Sequence, residues 1–250
     1  MNFIKISHHS DYTIVSLHRP EMKNAFHPAM IAEITDFFKH YNEKKIIVLR
    51  GSGGTFCAGA DLGWMRDMVK FSLDENREDA VRLWSMFHAV KNCPAPVMAI
   101  AEGVVFGGAL GLLACSDYVV ADSKTQFCFS ETRLGLLPAV ISDFILNKVS
   151  DGSIRPLMLS AEAFSVEKAV AVGLVSRVYS GLPSDSEIAQ LLTANGFEAM
   201  CAAKKLLNTL QFESDPEVRK NVCVSAIAER RVSPEAQGLL KNFLERKTSK

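Results

Sequence analysis

The chain has 250 residues, 48% hydrophobic and 22% charged, and its 28 basic and 28 acidic side chains give a formal net charge of zero. That balance excludes a chain drawn generally to nucleic acid or to acidic membranes. The apolar fraction suits a sizeable buried core, as one large domain or a core with a smaller appendage.

From the N-terminus, Met1 to Ser10 is mixed polar and apolar and has neither the apolar stretch nor the cleavage site of a secretory signal. Phe3 to Ser7 and Tyr12 to Leu17 read as strands joined by a turn at His8 to Asp11. Arg19-Pro20 breaks the second, because proline cannot donate to a sheet ladder. A helix is predicted from Pro28 to about Tyr41, with Met30, Ile34, Phe37 and Phe38 as its apolar stripe. Ile46 to Leu49 is a strand, Gly51 to Gly54 a loop, and Thr55 to Ala58 a second strand fragment. A helix then runs into the region of Met68. A longer helix fits Glu75 to Val90, with Ala80, Leu83, Trp84, Phe87 and Val90 on one face.

Pro94 and Pro96 end that segment. Val97 to Ala101 is a strand, Gly103 to Gly108 a loop and Ala109 to Cys115 a helix. Tyr118 to Ala121 and Gln126 to Phe129 are further strands. After Pro138, helices alternate with short strands such as Gly173 to Tyr179. From Ser186 the pattern is helical only, which sets an expected boundary near residue 190. The repeated order of strand, strand and helix predicts an α/β architecture. The longest apolar run, Pro96 to Ala114, is interrupted by Glu102 and several glycines and reads as buried core. The six cysteines form no C-x-x-C pair, so buried free thiols in a reducing compartment are expected. The six histidines show no metal spacing. The chain ends in Thr248-Ser249-Lys250, which is not a peroxisomal address. A soluble, cytoplasmic protein with no membrane or nucleic-acid partner is the expectation.

Three segments carry chemistry. In Phe56-Cys57-Ala58-Gly59-Ala60-Asp61-Leu62 a strand ends on small residues and a helix begins. Backbone can approach a ligand closely there, and free N–H groups at a helix start can receive developing negative charge. The stretch from Glu102 to Gly111 repeats the design and matches neither the dinucleotide fingerprint nor the phosphate loop. Each turn alone is also what close packing of helix on sheet would produce. Together they can offer two N–H donors to one oxygen, and losing one such donor costs an enzyme about 3–4 kcal/mol of transition-state stabilisation. The third segment, Phe127 to Pro138, holds Glu131 between an apolar strand and Leu134-Gly135-Leu136-Leu137-Pro138. A carboxylate placed there has its pKa raised toward the range useful for proton transfer, unless Arg133 pairs with it or it caps a turn.

In order and spacing these segments resemble the crotonase superfamily, the enoyl-CoA hydratase/isomerase family. So do His18-Arg19-Pro20, Asn24-Ala25, Cys115-Ser116-Asp117, Ala169 to Val178 and Lys241 to Arg246. The resemblance covers nearly the whole chain. It implies a spiral of ββα units over residues 1–190, which binds acyl-CoA and carries catalysis. A helical region over 191–250 would serve oligomerisation as a homotrimer or dimer of trimers. It maps the oxyanion donors to Ala60 and Gly108, the adenine-binding carbonyl to Ala58, and coenzyme contacts to Lys23, Asp61, Leu62, Phe243 and Arg246. For Asp61, a helix N-cap is the stronger reading from the residues alone.

Of the two glutamates typical of hydratases in the family, the second maps to Glu131 and the first to Gly111, which has no side chain. The combination of Gly107 to Leu112 with Ser130 to Ser142 resembles the methylglutaconyl-CoA hydratase-like subgroup, associated with leucine or isoprenoid breakdown. The expected activity is hydration of a short or branched 2-enoyl-CoA by Glu131, without a metal or redox cofactor, coenzyme A being part of the substrate. The alternatives are an isomerase shifting a 3-enoyl double bond with Glu131 as its sole shuttle, and a non-catalytic acyl-CoA-binding or RNA-binding relative. Arg66, Lys70 and Arg77 could pair with a distal substrate carboxylate or form a solvated helix face. Asp143 could supply a second acid.

Overall fold

Runs such as Ile46-Ile47-Val48-Leu49 and Val97-Met98-Ala99-Ile100-Ala101 are apolar at every position, the signature of strands covered on both faces. In the computed structural model, which describes residues 1–248, they become the centre of a six-stranded sheet. Its strands are β1 (Ile4–His8), β2 (Tyr12–Leu17), β3 (Ile46–Gly51), β4 (Val97–Ala101), β6 (Tyr118–Asp122) and β8 (Arg177–Tyr179), in that spatial order. The pair β1–β2 is antiparallel and every later pair is parallel. A smaller parallel sheet joins β5 (Val104–Phe106) to β7 (Gln126–Cys128). Single bridges extend it, from Phe26 to Ala60, from Cys57 to Val105 and from Phe127 to Phe164.

The helices are α1 (Pro28–His40), α2 (Leu62–Met68), α3 (Leu73–Lys91), α4 (Ala109–Cys115), α5 (Ala139–Leu146) and α6 (Asp151–Ser160). They continue with α7 (Val166–Ala171), α8 (Asp185–Thr193), α9 (Phe197–Phe212), α10 (Pro216–Arg231) and α11 (Pro234–Thr248). Each turn of chain places one strand in the large sheet, one short strand or bridge in the small sheet, and then a helix. The units β3–Cys57–α2, β4–β5–α4 and β6–β7–α5 follow one another in this way, which is the spiral of ββα units expected from the resemblance.

The period of two along the strands sorts the side chains between two cores. Ile47, Leu49, Val97, Ala99, Val119 and Ala121 face the main core with α1, α3 and α4. Ile46, Val48, Met98, Ile100 and Val120 face Ile188 and Ala189 of α8. Residue 190 therefore falls within α8, a helix packed on the sheet.

Several sequence expectations need correction. Thr55 to Ala58 is not a strand: among the described residues its one bridge is at Cys57, because the chain must turn at once into Gly59. Gly103 to Gly108 is not wholly loop, since Val104–Phe106 pairs with β7. Of Gly173 to Tyr179 only Arg177–Tyr179 is strand. On α3, Phe87 and Val90 are buried as expected, but Ala80 is exposed and Trp84 is 39% exposed. The periodicity gave the right face, yet only the C-terminal half of the helix lies over the core. Cys57, Cys93, Cys115 and Cys128 are buried free thiols, whereas Cys201 is half-buried and Cys223 exposed. Ser249 and Lys250, the end of the segment read for a targeting signal, lie outside the described residues.

α3 begins on a capping box: Ser72 Oγ accepts from the Glu75 N–H, and Glu75 Oε2 accepts from the Ser72 N–H. Ser72→Ala is expected to cost about 1 kcal/mol, lowering Tm by roughly 2–4 °C in a thermal melt.

Candidate active site

Backbone hydrogen-bond donors in the two small-residue turns can be accounted for one by one. In the first turn, the Ala58 N–H donates to the Lys23 carbonyl at 3.0 Å and the Asp61 N–H to the Phe26 carbonyl at 2.8 Å. The Gly59 N–H faces Cys57 Sγ at 3.4 Å. The Ala60 N–H has no acceptor among the described residues. In the second turn, the Phe106 N–H donates to the Cys57 carbonyl at 3.1 Å and the Gly107 N–H to the Cys128 carbonyl at 2.8 Å. The Gly108 N–H likewise has none among the described residues. An N–H withheld from the internal ladders in this way is available to an acceptor brought from outside.

The turns lie against each other. Gly59 has φ +97°, and a Cβ there would come within 3.0 Å of the Phe106 carbonyl oxygen and 3.9 Å of Gly107 Cα. Only glycine permits both that backbone angle and that approach. The Phe26–Ala60 bridge is parallel, so Phe26 bonds to the residues flanking Ala60 and the Ala60 N–H points away from it.

Glu131 opens a short 3-10 turn, Glu131–Leu134, just beyond β7. A Cβ at Gly107 would sit 3.3 Å from Glu131 Oε1, so the carboxylate lies directly over the glycine that precedes the Gly108 donor. Glu131 Oε2 is buried without a hydrogen-bond partner among the described residues. Arg133 forms no ion pair with it among the described residues, so a structural ion pair does not explain its place. Burial raises the Glu131 carboxyl above the usual carboxylate range. A desolvated carboxylate of raised pKa, beside two unpaired N–H donors, can exchange a proton with carbon or water while they hold an oxyanion.

Gly111 is fully packed. A Cβ added there would meet Ile141 Cγ2 at 2.7 Å, Phe87 Cε1 at 2.7 Å and Phe87 Cζ at 2.9 Å. Apolar side chains from α3 and α5 thus fill the place of a second carboxylate, which the sequence alone did not reveal. Asp143 of α5 does not compensate. It is exposed and lines a separate cavity of about 760 Å³ between α3, α5 and α9, with Trp84, Lys91, Lys204 and Phe212; neither Glu131 nor the two donors line it.

The remaining candidates divide into two groups. Lys23 is exposed, in a left-handed conformation with φ 49°, and its bond to Ala58 brings these two positions together. Asp61 caps α2: its Oδ1 accepts from Gly63 N at 2.7 Å and Trp64 N at 3.1 Å, and its Oδ2 meets Arg19 Nη2 at 2.9 Å. Burial alone would raise its carboxyl, but these donors hold it below the ordinary value. Both oxygens are thereby engaged within the chain. Leu62 opens α2 and is 64% exposed.

Phe243 and Arg246 belong instead to α11, which packs on α9 and α10 and so is carried by the C-terminal helices rather than by the spiral. Lys70 and Arg77 pair within their own helical segments, with Asp67 and Asp74, and Arg66 is exposed. Among the described residues, no three His, Cys, Asp or Glu side chains cluster so as to hold a metal ion, and no helix is long and apolar enough to cross a membrane.

Residues 9–247 match the family model described as enoyl-CoA hydratase/isomerase. An enoyl-CoA hydratase from Shewanella pealeana superposes with a TM-score of 0.87 at 32% identity, over 98% of this chain and 94% of that one. A crotonyl-CoA hydratase from Syntrophomonas wolfei is 28% identical over 203 residues, 78% of this chain and 77% of the relative. Enoyl-CoA hydratase AFT6-1 from Alternaria alternata is 32% identical over 184 residues, which span 72% of this chain and 58% of that longer protein.

Proposed function

The chain belongs to the enoyl-CoA hydratase/isomerase family, and from that premise we propose that it hydrates a short or branched 2-enoyl-CoA with Glu131 as its only proton-transfer carboxylate. One observation carries this reading: the Glu131 carboxylate lies over Gly107, next to the Gly108 N–H, and its Oε2 is buried with no hydrogen-bond partner among the described residues. The thioester oxygen would sit between the Ala60 and Gly108 N–H groups. Glu131 takes a proton from water as the water oxygen bonds to C3. The electron pair of the C2–C3 double bond moves through C2 to the thioester oxygen, and the resulting enolate is stabilised by both donors. Glu131 then returns the proton to C2, regenerating the carboxylate and leaving a 3-hydroxyacyl-CoA. Neither a metal nor a redox cofactor enters this balance.

3-Methylglutaconyl-CoA is the branched substrate proposed first, on the resemblance of the segments around Gly111 and Glu131. The packing at Gly111 favours a second reading as well. A single carboxylate suffices to move a proton from C2 to C4, so an isomerase acting on a 3-enoyl-CoA is the alternative. The exposed apolar side chains of α9 and α10, among them Leu207, Phe212, Val224 and Ile227, support assembly of copies through residues 191–250 as a homotrimer or dimer of trimers.

Chromatographic analysis of products from crotonyl-CoA, 3-methylglutaconyl-CoA and a 3-enoyl-CoA tests the assignment. A 3-hydroxyacyl-CoA formed from a 2-enoyl substrate is the expected result. Conversion of the 3-enoyl thioester alone, to its 2-enoyl isomer, would replace hydration by isomerisation.

A further inference from the structure

We propose that Arg19 is a positioning residue for the oxyanion site, acting through Asp61 to fix the direction of the Ala60 N–H. The inference rests on the reading that this N–H receives the thioester oxygen. The Ala60 donor belongs to a turn with a weak point, because Gly59 at φ +97° has the backbone freedom that other residues lack. Two bonds to Phe26 restrain it: the Phe26 N–H donates to the Gly59 carbonyl at 2.7 Å, and the Asp61 N–H donates to the Phe26 carbonyl at 2.8 Å. They orient Ala60 only if the Phe26 segment and the Asp61 segment keep their register.

Arg19 joins those two segments. Its Nη1 donates to the Ala25 carbonyl at 2.8 Å, next to Phe26, and its Nη2 donates to Asp61 Oδ2 at 2.9 Å, next to Ala60. The base of the arm is fixed too, since the Arg19 N–H donates to Asn24 Oδ1 at 2.9 Å. Asn24 Nδ2 in turn donates to the Ser52 and Thr55 carbonyls at 2.9 and 2.7 Å. The Arg19 and Asp61 side chains are only 14% and 10% exposed, so water competes little for either. A planar guanidinium can span a carbonyl and a carboxylate in one rigid fork, which an ammonium cannot reproduce. Asp61 passes the restraint on, because its other oxygen caps α2 through Gly63 and Trp64. The donor is thus flanked on both sides by bonds to Phe26, and the residue on its C-terminal side carries a carboxylate that Arg19 holds.

Arg19→Met, Arg19→Lys and Asp61→Asn separate this role from simple structural support. Asparagine caps helices as well as aspartate does, so Asp61→Asn keeps α2 while removing the ion pair. Two readouts are needed: kcat and KM on a substrate that the wild type turns over, and the carbonyl stretch of bound butyryl-CoA labelled with carbon-13 at the thioester carbonyl, by difference infrared spectroscopy. Butyryl-CoA is saturated and reports polarisation of the thioester without turnover.

The expected result is a loss in kcat of about tenfold to about a hundredfold for Arg19→Met and Asp61→Asn. KM should change much less, and the carbonyl stretch should move back toward its position in free butyryl-CoA. Arg19→Lys should fall between. If the wild type leaves the stretch at its free position, the oxyanion reading itself fails. If the wild type shifts the stretch and both variants keep that shift, the positioning role is overturned, whether or not turnover drops. Should Arg19→Met melt without cooperativity, Asp61→Asn decides the question.

Discussion

Glu131→Gln is expected to lower turnover by about 10²–10⁴-fold while the protein stays folded. The amide keeps the size of the carboxyl but can neither take nor return a proton. Stability should not suffer, because Glu131 Oε2 is buried without a partner among the described residues and the neutral amide removes a desolvated charge. The sign of the pH dependence follows from burial, which raises the folded-state pKa above its ordinary value. Between those two values the folded chain holds a proton that the unfolded chain has released. Stability from Glu131 is therefore full below the ordinary value and is lost as pH rises through the raised one. Activity runs the other way, since the base form populates only above the raised value. kcat/KM should climb with pH through that value in the wild type, and chemical denaturation at several pH values should show that Gln removes the matching loss of stability. Near wild-type turnover by the Gln variant would move the chemistry to another group.

Gly111→Glu, which would supply the second carboxylate typical of hydratases in the family, is expected to destabilise by roughly 3 kcal/mol or more without speeding hydration. Its Cβ would overlap Ile141 and Phe87, whose atoms lie 2.7 Å from that position. Overpacking of this kind costs about 1–3 kcal/mol, and burying an unpaired carboxylate adds to it. Gly111→Ala isolates the steric part. Combining Gly111→Glu with Phe87→Ala opens space for the side chain at the expense of core packing. Urea denaturation gives the stabilities, and the product assay gives the rates. A Gly111→Glu variant as stable as the wild type and faster in hydration would show that the pocket accommodates a two-carboxylate mechanism and that the apolar packing at Gly111 does not restrict the chemistry.

Much of this was legible along the chain. The ranges of β2, β4 and α4 were read from the sequence as they stand in the structure, because uninterrupted apolar runs and bracketing glycines or prolines are local signals. The positions of Ala60, Gly108 and Glu131 were legible too, as small-residue turns before helices and a carboxylate set in an apolar stretch. Local pattern and the order of motifs determined the fold class and the family.

Other features were decided only when distant segments met. Thr55 to Ala58 and Gly103 to Gly108 were misassigned because pairing in the small sheet depends on which chain segments lie alongside, not on local propensity. Gly111 read as a missing carboxylate; only the packing of Phe87 and Ile141, from helices remote in sequence, turned it into a filled site. Arg19 read as the residue before a strand-breaking proline, and its pairing with Asp61 spans 42 positions. The sequence by itself determined which side chains are able to carry protons and which turns can offer donors, since those properties reside in side-chain type and backbone freedom. The tertiary structure decided which donors are left unpaired and how far Glu131 is desolvated, because both depend on what the rest of the chain places around them.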